Sequence, residues 1–356
     1  MYYVNPNIKD VVRIFPPQDR YGYLRLDMNE NPEGLPQDFV DSVLKEFTPS
    51  FLATYPEPDI FMQKYADFVH VAPENICLTN GSDAAIRYTF EVFAAPGSSV
   101  VTVTPSFEMY GVNCNMLGLV HKPVPYSKDF TISVADIISA IDETTDIVAL
   151  LNPNNPIGPN FTEAQARQVI DRANEVGAIV IFDEAYHYFC KDTFLLLINE
   201  YDNVIIFRTF SKLFSLAACR LGMVISNETI IEYLRKARPS FEVNALALKF
   251  AERILDHPAI FDELLSTFEA GKKHLIDSLE KHGYEYYPQS GNFIFIKPHI
   301  DANLLATNLM KEKILVKTYG NDLLKNYIRI NIGAPKIMEQ FMQALIKADT
   351  KEANQE

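Results

Sequence analysis

Short apolar runs alternate with helix-period segments along most of this chain. The β-rich runs fall at 75–79, 99–104, 120–124, 146–151, 178–182, 204–207 and 221–225. Those at 178–182 (Ala-Ile-Val-Ile-Phe) and 204–207 (Val-Ile-Ile-Phe) are apolar at every position, so both faces of each strand must be covered. Amphipathic segments lie between them. One runs from Gly81 to about Ala95, one ends near Leu117, and one opens at Thr162 and runs to about Val176. Thr-Glu-Ala-Gln at 162–165 reads as a capping box. Buried strands separated by helices predict an α/β domain: a central, mostly parallel sheet flanked by helices. In such sheets ligands sit at the carboxyl ends of the strands.

The pattern changes after Arg238. Two long helical patterns, at 243–256 and 258–281, lead into short strands at 284–287, 292–296, 314–317 and 327–331, and a helix follows. This predicts a smaller α+β domain. Residues 1–35 are rich in Pro, Asn and Tyr, lack a sustained period, and read as an extended arm. The expected division is an arm at 1–35, a large domain at 36–237 and a small domain at 238–356, the arm packing on the small domain or a partner subunit. The tail at 349–356 reads as disordered. A length of 356 residues suits one large and one small domain.

Composition narrows the partners. Thirty-two basic and 46 acidic residues leave a net charge of −14, which disfavours nucleic acid and anionic membrane as partners. No apolar run approaches the roughly 18 residues of a membrane span, and the N-terminus lacks a basic-then-apolar leader pattern. Cys77, Cys114, Cys190 and Cys219 are scattered without C-x-x-C spacing, which reads as reduced thiols in a cytoplasmic protein; no metal is expected.

Polar motifs cluster just after the predicted strands. In Arg-Thr-Phe-Ser-Lys at 208–212, the amine of Lys212 follows the hydroxyls of Thr209 and Ser211, and Arg220 lies eight positions on. An amine among hydroxyls and a fixed cation suits a Schiff base to a phosphate-bearing cofactor, pyridoxal phosphate. That cofactor needs an anion at its ring nitrogen, donors at its phenolic oxygen, a phosphate seat and an aromatic neighbour. Asp183, after the 178–182 run, suits the ring nitrogen, because an opposite charge favours the charged form. Tyr186 and Asn155 suit the phenolic oxygen. Gly81, Ser82 and Asp83 open a helix whose N–H groups and dipole suit a phosphate. Thr209, Ser211 and Arg220 complete that seat. Tyr110 suits stacking on the ring. Taken singly, each motif is an ordinary turn, cap or core residue; their order and common placement carry the reading. His187 reads as structural and Cys219 as a buried, inert thiol.

In this set of motifs the chain resembles the fold-type I pyridoxal-phosphate aminotransferases, within them the histidinol-phosphate aminotransferase-like group. The matches run in order from about Asp27 to Gly333: Asn-Glu-Asn-Pro at 29–32, Thr-Tyr-Pro at 54–56, Asn-Gly-Ser-Asp at 80–83, Asn-Pro-Asn-Asn-Pro at 152–156, Phe-Asp-Glu-Ala-Tyr at 182–186, Thr-Phe-Ser-Lys at 209–212 and Ile-Arg-Ile at 328–330. The resemblance implies a fold-type I transferase whose catalytic lysine is Lys212, serving amino-acid biosynthesis. It assigns Arg329 to the substrate's acidic group and places Lys317 and Asn31 on the substrate side. It implies a homodimer in which Tyr55 reaches the cofactor phosphate of the other subunit. Substrates would be a small acidic or phosphorylated amine and an oxo acid. The pattern departs at Lys317, where the group usually carries arginine; lysine lacks the bidentate fork. It departs again at Ala218 and Cys219, where Gly-Leu is usual. Tyr21 and Tyr23 are candidates for the substrate side. Two other readings share these motifs: a decarboxylase similar to threonine-phosphate decarboxylase, and a non-catalytic module of the same fold.

Overall fold

Near-continuous apolar runs become strands covered on both faces. A computed structural model describes residues 2–9, 11, 19–157, 159–190 and 192–350. Among these the strands are, in chain order, β1 (Leu24–Arg25), β2 (Ile76–Thr79), β3 (Ser99–Thr104), β4 (Val120–Pro125), β5 (Thr145–Leu151), β6 (Ile179–Asp183), β7 (Val204–Thr209), β8 (Gly222–Ser226), β9 (Glu285–Pro288), β10 (Phe293–Lys297), β11 (Ile314–Leu315) and β12 (Ile328–Asn331). Internal contacts divide the chain into two units. Among the described residues, the first holds those up to 11 and those within 41–211 and 216–256; the second holds those within 19–40, 212–215 and 257–350.

The first unit is built on a seven-stranded sheet in the order β2-β8-β7-β6-β5-β3-β4. Strands β4, β3, β5, β6 and β7 run parallel, while β8 is antiparallel to both β7 and β2. Twelve residues, 210–221, join β7 to β8 without an α-helical crossover, and a parallel return needs one. Val180, Ile181, Phe182, Ile205, Ile206 and Phe207 are fully buried, as a sheet sandwiched by helices requires. β4 is the exception: an edge strand with only Val124 buried, carrying Lys122 and two prolines that blunt pairing with another chain. The capping box forms as expected. Thr162 Oγ1 accepts from Gln165 N at 3.3 Å, Gln165 Oε1 accepts from Thr162 N at 2.9 Å, and the helix Glu163–Glu175 follows.

The chain enters β3, steps outward to β4, then returns to β5 on the other side of β3. That reversal opens a crevice beyond the strand ends. The loops after β3 and β5 are tied across it: Asn154 Nδ2 donates to Pro105 O at 3.1 Å, and Ser106 Oγ donates to Asn154 Oδ1 at 2.8 Å.

The second unit contains the antiparallel sheet β12-β10-β9 and the parallel pair β1–β11. The helix Pro258–Lys281 packs on the helix Pro335–Ala348, with His274 Nε2 3.1 Å from Glu339 Oε2. A Cβ at Gly271 would collide with the Gly333 carbonyl, so this approach requires glycine.

Three boundaries differ from expectation. The helix Ala245–Asp256 groups with the first unit, through Lys64–Asp256 at 2.6 Å and Arg253–Glu46 at 2.6 Å. The arm is not one extended piece: Pro6–Lys9 is a short helix packed on Met109–Leu117 in the first unit, and Leu24–Arg25 pairs with Ile314–Leu315 in the second. Residues 12–18 lie outside the described residues. Asp349 is buried, accepting from the backbone N of His299 at 2.9 Å and of Ile300 at 3.1 Å, and Thr350 is exposed; residues 351–356 of the expected tail lie outside the described residues. Among the described residues no helix is long and apolar enough to cross a membrane.

Candidate active site

Asp183 ends β6, and its burial decides its chemistry. The side chain is cut off from water; Tyr110 donates to Oδ2 at 2.9 Å and the Ala185 N–H donates to Oδ1 at 3.1 Å. Desolvation outweighs these bonds and pushes the carboxyl up to about 6. Such a carboxyl gains from a cation beside it, because the cation recovers the charge stabilisation that burial removes. Tyr110 sits on the helix Met109–Leu117 with its ring buried and tilted against Phe90 at 6.2 Å. Burial and the Asp183 charge hold its hydroxyl protonated, far above the usual tyrosine range. Sequence reasoning gave Tyr110 a ring to stack upon; the geometry adds a hydroxyl that serves Asp183.

A second cluster surrounds the N-terminus of the helix Gly81–Phe93. Gly81 adopts φ +74°, and a Cβ there would lie 2.9 Å from Arg220 Cζ. A Cβ on Gly222 would lie 2.7 Å from Gly81 C and 2.9 Å from Ser82 N. Both glycines keep the turn open beneath the guanidinium. Arg220, itself at φ 56°, reaches Asp83 Oδ2 at 3.2 Å. Thr209 Oγ1 donates to Ser211 Oγ at 2.9 Å and accepts from Ser211 N at 3.1 Å. Ser82 Oγ is buried yet has no hydrogen-bond partner among the described residues. A buried hydroxyl without a partner beside helix N–H groups and an arginine fits a phosphate, whose oxygens would accept from all three. Pyridoxal phosphate therefore fits the first unit's residues, with a buried carboxyl for its ring and this turn for its phosphate. Tyr186 is buried on the loop after β6, and Asn155 is half-buried after β5.

Lys212 directly follows Ser211 in the chain and begins the 212–215 segment of the second unit. The residue is half-buried, and its Nζ donates to Met28 O at 3.1 Å. In the same unit Asn31 Nδ2 donates to Ser215 Oγ at 2.7 Å and to Gly34 O at 3.1 Å. Arg329, on β12, is buried, donates to Asp27 O at 2.6 Å, and lies 5.4 Å from the Phe293 ring. Lys317 faces it in an isolated antiparallel bridge, with Lys317 N to Arg329 O at 3.0 Å and Arg329 N to Lys317 O at 2.8 Å. Both cations approach the ring of Tyr319, each at 5.9 Å. Two cations directly opposite repel, so this face of the unit favours an anion. Tyr23 lies under Lys313 Nζ at 4.8 Å, and Tyr21 is exposed.

Tyr55, in the first unit, is 72% exposed and stacks on Phe241 at 4.3 Å. His187 binds the Asp192 carbonyl at 3.1 Å, and burial raises the Cys219 thiol, which fits an inert role. Sequence reasoning missed four residues. Asn154 ties the β3 and β5 loops. Glu242 accepts from Asn80 N at 3.1 Å and Tyr88 OH at 3.0 Å, at the start of the Gly81–Phe93 helix. Glu184 and Arg208 form a buried ion pair at 2.9 Å. The charges of 184 and 208, set against otherwise apolar strand ends, were the available signal.

Residues 22–345 match the model of the family "Aminotransferase class I and II". The chain is 32% identical over 330 residues to the histidinol-phosphate aminotransferase of Clostridium novyi, covering 91% of this chain and 92% of that protein. Its fold is similar to that of the histidinol-phosphate aminotransferase of Sinorhizobium meliloti in complex with pyridoxal-5'-phosphate, at a TM-score of 0.86 and 22% identity, over 98% of each chain. It is also similar to the L-threonine-O-3-phosphate decarboxylase of Porphyromonas gingivalis, at a TM-score of 0.75 and 22% identity, over 91% of this chain and 98% of that one. The chain belongs to the class I and II aminotransferases, of fold type I, and its cofactor is pyridoxal phosphate.

Proposed function

We propose that this enzyme moves the amino group of a phosphorylated amine, with histidinol phosphate as the leading candidate, to an oxo acid, and that it works as a cytoplasmic homodimer. The observation that carries the substrate reading is the pair of cations, Lys317 and Arg329, facing each other across one bridge in the second unit. The names of relatives near 30% identity support the same choice.

When bound, pyridoxal phosphate supplies an aldehyde carbon for amines and an electron sink for charge developing at the substrate Cα. The residues of the chain orient that group and manage protons. Asp183 holds a positive charge at the ring nitrogen. Asn155 and Tyr186 donate to the phenolic oxygen. Ser82, Thr209, Ser211, Arg220 and the helix N–H groups hold the phosphate, with Asp83 orienting Arg220. Lys212 Nζ would hold the cofactor at its aldehyde carbon and, when free, would serve as the base that takes the proton from the substrate Cα and delivers it to that carbon. Arg329, Lys317 and Asn31 bind the acidic end of the substrate and so set which Cα bond reacts. Tyr55 of a second copy, exposed and pre-oriented by Phe241, completes the phosphate site.

Steady-state kinetics with histidinol phosphate and histidinol as paired donors test the substrate choice. A preference for the phosphorylated donor of about 100-fold in kcat/KM or more, from two charged contacts at ~1.5–3 kcal/mol each, is expected. Equal use of both donors contradicts it. Carbon dioxide released from threonine phosphate would move the enzyme to the decarboxylase reading.

A further inference from the structure

Asp183 and Glu184 are consecutive, so along the strand direction their side chains leave on opposite faces of the sheet. Asp183 is paired in register with Phe207, and the Glu184 N–H donates to Phe207 O at 2.9 Å. Thr209 therefore shares the face of Asp183, while Glu184 and Arg208 share the other. On that other face Glu184 Oε2 accepts from Arg208 Nε at 3.0 Å and Nη2 at 2.9 Å. Its Oε1 accepts from Phe194 N at 2.6 Å, and Thr193 Oγ1 lies 2.9 Å from both carboxylate oxygens. Arg208 Nη2 also donates to Thr193 Oγ1 at 2.9 Å, and its guanidinium lies 5.8 Å from the ring centroid of Tyr188. The two side chains are 0% and 4% exposed.

Stability alone does not account for a dry ion pair: desolvating both charges offsets their attraction, and apolar replacements often do as well. What the pair does is geometric. It ties the ends of β6 and β7 together and closes the 184–193 loop, which carries Tyr186, at its base. We propose that Glu184 and Arg208 are positioning residues for the cofactor: from behind the sheet they fix the spacing of Asp183, Tyr186 and the Thr209–Ser211 hydroxyls. The inference rests on the reading of those groups as the cofactor's partners.

The test is the double variant Glu184→Gln/Arg208→Met, which removes both charges at similar volume. Its ligand-free form should melt within a few degrees of wild type. Its dissociation constant for pyridoxal phosphate should rise by about 10-fold or more, the size of one lost charge-assisted contact. The pH midpoint of the bound cofactor's visible absorbance should shift as well. Arg208→Lys, which keeps the charge and loses the fork, should fall between wild type and the double variant in both readouts. A double variant with wild-type affinity and midpoint overturns the proposal. If the double variant does not fold, Arg208→Lys decides: wild-type values in both readouts overturn it, intermediate values support it. Failure of the wild-type protein to bind pyridoxal phosphate would overturn the underlying site reading instead.

Discussion

Tyr110 donates its hydroxyl to Asp183 Oδ2 at 2.9 Å, and both groups are buried. This bond pulls the Asp183 carboxyl down while burial pushes it up, and burial wins, leaving it at about 6. Tyr110→Phe removes the opposing effect, so the Asp183 carboxyl should rise further. The ionised form is the one that pairs with a cationic ring. Affinity for pyridoxal phosphate should therefore drop by about 10-fold, the scale of a hydrogen bond to a charged group, and drop more at pH 6 than at pH 8. Fluorescence titrations at both pH values check this; an equal loss at both contradicts the linkage.

Asp183→Asn makes a prediction with the opposite sign for the ligand-free protein. The native carboxyl lies above its unfolded value of 3.8, at about 6. Its contribution to stability is therefore complete below pH 3.8 and is lost as pH rises through 6. Above that range the deficit is roughly 3 kcal/mol, at 1.36 kcal/mol per unit. Ligand-free Asp183→Asn should gain about that much over wild type at pH 8 and little at pH 4, while losing cofactor affinity and activity. Denaturant melts of both proteins across pH isolate the difference. No pH dependence in the difference contradicts the assignment.

Ser82 Oγ, buried without a partner among the described residues, gives a similar dissociation of stability from binding. Ser82→Ala should leave the ligand-free protein as stable as wild type or about 1 kcal/mol more so, because no hydrogen bond is lost and an unpaired hydroxyl leaves the interior. The same change should weaken pyridoxal phosphate by about 10-fold through a lost charge-assisted bond. Thermal melts and equilibrium titration check both halves.

The bridge between Lys317 and Arg329 predicts how substrate binding responds to charge. Lys317→Met should raise KM for a phosphorylated donor by about 10-fold with little change in kcat, the signature of lost uniform binding. Lys317→Arg, which restores a bidentate fork, should lower KM instead. Unchanged KM in both variants would place the substrate anion elsewhere.

Most of this fold was legible because burial leaves a pattern. The runs 178–182 and 204–207 could only be covered strands, and Thr162 with Gln165 marked a helix start that the structure keeps. Strand direction was not legible: β8 is as apolar as its neighbours, and only the lack of a crossover helix in 210–221 sets it antiparallel. Several helices went unread, among them Asp59–Val69, Glu228–Ala237 and Ala302–Lys311, although Asn227 and Asp301 cap the last two through bonds of 3.1 Å and 3.0 Å. At the candidate site, Lys212 and Asp183 stood out in the sequence by residue type and place after a strand. Tyr110's bond to Asp183 and the Glu184–Arg208 pair did not, because cross-strand register and helix placement bring those partners together over separations of 73 and 24 residues.

The most direct test of the central claim is a half-reaction. Holoenzyme is mixed with histidinol phosphate in the absence of any oxo acid, and the bound cofactor's visible absorbance is followed alongside product release. The account predicts loss of that absorbance with one oxo product per site, recovery when an oxo acid is added, and neither event in Lys212→Ala. Carbon dioxide without an oxo product, or turnover that persists in Lys212→Ala, would contradict it.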